Sequence, residues 1–168
     1  MARRLVALVL TVSVCSLAPA AAQRPSTDWP QWRGAQRDGA ARFTPPAEWP
    51  ERLTERWKVE VGLGYSAPII AGDRVFAFSR QDDTEVMRAL DAATGKTIWE
   101  TKYVAAFKPN PAATRTHGTG PKSTPAFADG RLYTLGMSGM VTAFDAASGK
   151  QLWQKPPGPV ETLYHTGM

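Results

Sequence analysis

From Arg56 to Val61 polar and apolar residues alternate one for one, as in a strand with one face buried. Past Tyr65 the pattern changes to short apolar runs punctuated by turn residues. Ser66–Ala71, Arg74–Phe78, Val86–Leu90 and Thr97–Glu100 read as four strands. They are joined by Ala71-Gly72-Asp73, by the polar tip Gln81–Thr84 and by a turn after Asp91. The same order returns downstream with Ser123–Phe127, Arg131–Leu135, Met140–Phe144 and Gln151–Trp153, the first two joined by Ala128-Asp129-Gly130. No helical period runs through either unit, so the expectation is an all-β fold of four-stranded antiparallel meanders.

The two units share an eleven-residue stretch, Ala89-Leu-Asp91-Ala-Ala-Thr94-Gly95-Lys-Thr-Ile-Trp99 and Ala143-Phe-Asp145-Ala-Ala-Ser148-Gly149-Lys-Gln-Leu-Trp153, at a spacing of 54 residues. A fixed period of that size marks a repeat architecture. Within each copy the Asp carboxylate can fold onto backbone N–H groups two or three positions on, and the Gly can take the positive φ that closes the turn. Each copy is therefore a hairpin followed by an indole at a fixed place, with Ala89 or Ala143 leaving room for a neighbour. Pro68 and Pro125 are 57 residues apart, so the first unit holds three extra residues in its second hairpin.

The pattern Ala-x-Asp-x-x-Thr/Ser-Gly-Lys-x-x-Trp resembles the tryptophan-docking motif of the PQQ-like β-propellers. That family includes quinoprotein alcohol dehydrogenases and the non-enzymatic BamB-like propeller of the outer-membrane barrel-assembly machinery. The resemblance implies that each unit is one blade of a β-propeller and that each Trp wedges between adjacent blades. It gives Ala89, Asp91, Gly95, Trp99, Ala143, Asp145, Gly149 and Trp153 a structural blade-docking role. Trp57 lacks the turn before it and fits an outer strand that closes the ring. Such a ring has about seven or eight blades, whereas this chain holds two, at about 65–103 and 123–155, with the approach to a third at about 164. The chain accordingly reads as an N-terminal fragment of a longer propeller, with a short protein that oligomerises into a ring as the alternative.

Ahead of the blades, residues 23–55 form an extended segment rich in Trp and Pro, because Pro25, Pro30, Pro45, Pro46 and Pro50 interrupt helix and sheet alike. Asp28-Trp29-Pro-Gln-Trp32-Arg33-Gly34 resembles the mature N-terminus of secreted PQQ-like propeller proteins, and its indoles are expected to pin it to the outside of a sheet. Residues 1–22 have basic Arg3 and Arg4, an apolar run from Leu5 to Leu17 and a small-residue end, the layout of a cleavable signal cut after Ala22. That predicts a periplasmic or secreted protein with no stable membrane span.

Composition narrows the chemistry. The single cysteine, Cys15, lies within the signal, which excludes disulfides and thiol sites from residues 23–168. Losing Arg3 and Arg4 takes two from the formal +5, leaving a scattered +3 that does not argue for nucleic acid. The long connection Val104–Lys122 and the end of the chain place Arg115, His117 and His165 just before innermost strands, where a channel-mouth binding site would stand. The plainer reading is that these residues shape connections. No catalytic residue and no metal ligand is assigned.

Two functions remain open. One is an exported, non-catalytic scaffold that binds an unidentified protein partner, with no cofactor. The other, which the resemblance equally allows, is a quinoprotein alcohol or sugar dehydrogenase using pyrroloquinoline quinone and Ca²⁺. The enzymes of the family carry an adjacent cysteine pair near the quinone, and this chain has none, so the scaffold is favoured.

Overall fold

The computed structural model describes residues 27–41, 43–106 and 115–156. The signal at 1–22, His165 and the approach to a third blade lie outside the described residues, as does the middle of the Val104–Lys122 connection.

Eight strands form two four-stranded antiparallel sheets, each a simple meander. The first sheet runs β1 (Ile69–Ala71), β2 (Arg74–Gln81), β3 (Thr84–Asp91) and β4 (Thr97–Val104). The second runs β5 (Ala126–Ala128), β6 (Arg131–Leu135), β7 (Val141–Asp145) and β8 (Gln151–Lys155). The fold is thus all-β and built from propeller-type blades. β2 and β3 reach further than the apolar run suggests, since Ser79–Gln81 pair with Thr84–Val86 up to the Asp82-Asp83 tip. The three extra residues of the first unit are taken up there.

Turn chemistry explains the corners. Asp129 and Gly130 both take positive φ, 49° and 72°, as a two-residue hairpin turn between right-twisted strands requires. The register slips by a bulge between Ala89 and Leu90 in one sheet and between Ala143 and Phe144 in the other. Just before each bulge, Ala89 is directly opposite Trp99 and Ala143 opposite Trp153. Opposed residues share a sheet face, so a methyl at these positions leaves space for the indole.

One apolar core serves both sheets. Ile69, Phe76, Phe78, Met87 and Ala89 from the first pack with Leu132, Phe144 and Ala146 from the second, flanked by Trp99, Tyr103 and Phe127. Phe76 stacks on Phe127 at 6.2 Å, and Tyr103 is tilted against Phe144 at 6.3 Å. The core therefore lies between blades, and neither blade encloses it alone.

The N-terminal segment differs from expectation. Trp29 pairs antiparallel with Ile70 through two backbone hydrogen bonds of 2.8 and 3.0 Å, which puts it on the free edge of β1. Pro30 O then accepts the Phe127 N–H of β5 at 2.8 Å, and Asp28 Oδ1 accepts the Gly72 N–H at 2.9 Å. The segment is a strap across the adjoining edges β1 and β5, because unpaired edge N–H and C=O groups are the nearest partners for an extended chain. Gly34 lies against the Trp29 ring with φ +78°, where a Cβ would stand 2.9 Å from the indole.

Candidate functional site

The repeated turn is built identically in both blades. Asp91 Oδ1 accepts the Thr94 N–H at 2.8 Å and the Thr94 hydroxyl at 2.6 Å, and the Gly95 N–H returns to Asp91 O at 2.8 Å. Asp145, Ser148 and Gly149 repeat these bonds at the same distances. The Thr94 and Ser148 donors hold the Asp91 and Asp145 carboxyls below the usual carboxylate range.

Each turn receives an indole from the element before it. Trp99 donates its Nε1–H to Ala146 O at 3.1 Å, and its ring covers Gly149, where a Cβ would come within 2.5 Å of the indole. Trp57 repeats this on the first blade, with Nε1–H to Ala92 O at 3.0 Å and its ring 2.7 Å from the place of a Gly95 Cβ. Residues 57–62 make no ladder that defines a strand, yet they take the position on the first blade that β4 takes on the second. Val61 O accepts the buried Ser79 hydroxyl, and Leu63 pairs with Arg80. Arg74 Nη1 adds bonds of 2.9 Å to Ala146 O and Ala147 O, and the Thr101 hydroxyl reaches Gly149 O at 2.6 Å. Among the described residues, Trp153 rests on its own blade, tilted against Tyr133 at 6.2 Å, and is 46% exposed.

Sequence reasoning missed the opposite end of the joint. Glu85, wholly buried on β3, accepts from Tyr103 Oη–H at 2.8 Å and from the Met137 N–H of the second blade at 2.6 Å. Burial pushes its carboxyl above the usual range, against the two donors and the charge of Arg80. Burial and the Glu85 charge likewise push the Tyr103 phenol upward. An acidic residue at the start of an apolar run looks solvent-facing until the neighbouring sheet is in place. The one available signal was Tyr103, a polar aromatic four residues after Trp99 on β4.

Of the channel-mouth residues, Arg115 and His117 are described and exposed, in a helical turn over residues 115–117. They stand where two loops meet, since the Tyr65 and Ser66 N–H groups both bond Pro121 O, at 2.9 and 3.1 Å. The His117 ring meets Tyr65 edge-on at 6.3 Å, and Lys122 lies 4.4 Å over the Tyr65 ring while donating to His117 O. Burial lowers the Lys122 ammonium. Leu63 continues the line of β1 along β2, so this cationic and aromatic corner sits at the strap-side edge of the blades. Among the described residues, no three of His, Cys, Asp and Glu converge to hold a cation. No helix among them is long and apolar enough to cross a membrane.

With this geometry in view, a family model described as outer membrane protein assembly factor BamB matches residues 82–165, half of the chain. The chain belongs to that family of PQQ-like repeat proteins. Solved structures with similar backbones include BamB from Moraxella catarrhalis, at 23% identity over 60% of this chain and 26% of that one, TM-score 0.37. The quinohemoprotein alcohol dehydrogenase from Comamonas testosteroni is similar at 18% identity over 77% of this chain and 19% of its own, TM-score 0.49. A europium-containing methanol dehydrogenase is similar at 21% identity over 56% and 16%, TM-score 0.42. The chain thus spans about a quarter or less of the length of these proteins. No curated protein sequence matches it.

Proposed function

We propose that the chain belongs to an exported β-propeller scaffold that holds a protein partner and carries out no redox chemistry. The observation that supports this most is the family match, whose description is that of an assembly factor. The chemistry of the repeat agrees with it. Asp91 and Asp145 are occupied in turns, Trp57 and Trp99 in joints, and Glu85 in the contact between blades. These side chains stabilise a sheet interface and offer no base to a substrate. The partner surface in this reading is the corner where exposed Tyr65, Arg115 and His117 and half-buried Lys122 stand on hydrogen-bonded loops. The indoles of the family motif join blades in scaffold and dehydrogenase alike, so fold alone does not select the reaction.

The test uses the complete protein in its native host. A photo-crosslinking residue at position 117 should give discrete protein adducts, whereas one at the exposed turn position 150 should not. The purified protein should neither bind pyrroloquinoline quinone stoichiometrically in the presence of Ca²⁺ nor reduce dye with alcohols or sugars. Stoichiometric quinone binding with turnover would replace the scaffold by a dehydrogenase.

A further inference from the structure

The contact between Glu85 and the second blade is more than filler. Glu85 lies in register with Arg80 on β2 and Tyr103 on β4. Each carboxyl oxygen has its own donor, Oε2 from the Tyr103 hydroxyl and Oε1 from the Met137 N–H. The carboxyl fills the space over Gly136, where a Cβ would stand 1.9 Å from Oε2, so only glycine admits it. From β2, Arg80 faces this end of the sheet, its guanidinium donating to Ala105 O at 2.9 Å and approaching Asp83 at 3.5 Å. From the second blade come the backbone of Gly136 and Met137, with the Thr134 and Thr142 hydroxyls beside the Tyr103 phenol. Residues Gly136–Gly139 form a tight turn closed by the Gly139 N–H on Gly136 O at 3.0 Å.

We propose that Glu85 is an ionisable latch that fastens the first blade to the second, its protonation state setting how firmly the Gly136–Gly139 turn is held. The ionised carboxylate accepts a charge-assisted bond from Met137, about twice as strong as a neutral one. Adding a proton weakens that acceptor and removes a buried charge. The turn loosens while the sheet beneath is relieved of a desolvation cost. The joint therefore has a fixed end at Trp99 and a titratable end at Glu85.

Backbone hydrogen exchange at Met137 in the full chain, expressed as a protection factor so that the intrinsic pH dependence cancels, reads the latch directly. In the wild type, protection at Met137 should fall about tenfold as Glu85 gains its proton, in proportion to a lost charge-assisted bond. Glu85→Gln should remain at the lower level at every pH. Tyr103→Phe removes a donor that favours the ionised form, so it should move the midpoint of the change to higher pH. Parallel wild-type and Glu85→Gln profiles, or a midpoint that Tyr103→Phe leaves in place, would overturn the latch. Both variants keep the volume of the parent side chain, so the result does not depend on a truncated one folding.

Discussion

Trp99 and Trp153 occupy the same place in the same motif, opposite the same alanine, and pack on an equivalent aromatic of their own blades. One is half-buried against the next blade and the other is 46% exposed. The difference is entirely in what stands across from them. Trp99 has the Asp145–Gly149 turn to cover it and an Ala146 carbonyl to receive its N–H, and Trp153 has no counterpart turn among the described residues. The indole is therefore not a core residue of the blade that carries it. It becomes one only when the next blade presents its glycine, which makes the motif a coupling between units.

The largest effect that should separate the two is truncation. Trp99→Ala should cost about 3–5 kcal/mol, as for a buried large aromatic. Trp153→Ala in the same chain should cost less than about 0.5 kcal/mol, the range of a surface change. Denaturant midpoints check both, and equal losses would mean that the exposed indole has a partner of its own.

The glycine side of the contact gives a smaller, cleaner contrast. Gly130 and Gly149 have nearly the same φ, +72° and +74°, but a Cβ at Gly130 meets nothing within 4 Å whereas one at Gly149 meets the Trp99 ring. Gly130→Ala should cost the left-handed backbone strain alone, about 1–2 kcal/mol. Gly149→Ala should cost distinctly more, and in a Trp99→Ala background the excess should vanish. A double-mutant cycle reads this directly.

Two pH dependences of opposite sign follow. Glu85 is raised by burial, so its contribution is fully present below the ordinary carboxylate value and is lost as pH rises through its raised value in the fold. Between those two values, wild type minus Glu85→Gln should therefore lose stability with rising pH. Asp91 and Asp145 are lowered by Thr94 and Ser148, so their contribution is present above the ordinary value and lost as pH falls through the lowered one. Both turns are open to water, so Asp145→Asn should flatten the acid limb only slightly.

The strands and the repeat were legible because their information is local. Alternation, Asp-Gly turns and the recurring indole are all contained within about a dozen residues. What the chain concealed is what only the partner surface decides. Glu85 reads as a solvent-facing acid until Met137 and Gly136 close over it. Trp29 was expected on the outside of a sheet, yet it pairs with the β1 edge because the nearest unsatisfied backbone is there, 41 positions away in sequence. The Arg115 and His117 corner was legible as a location before inner strands, but its Tyr65 and Lys122 neighbours come from loops with no shared pattern.

The strap also has a temporal meaning. Its bonds to Ile70 and Phe127 close loops of 41 and 97 residues, while each hairpin closes over only a few. Loop-closure entropy rises with length and must be met before the bond returns anything. Distant pairings are accordingly the slow steps of folding. Asp28 and Trp29 bond the first blade through Gly72 and Ile70, whereas Pro30 O finds its acceptor role only after β5 is in place beside β1. That last bond, to Phe127, reports that these two units have assembled.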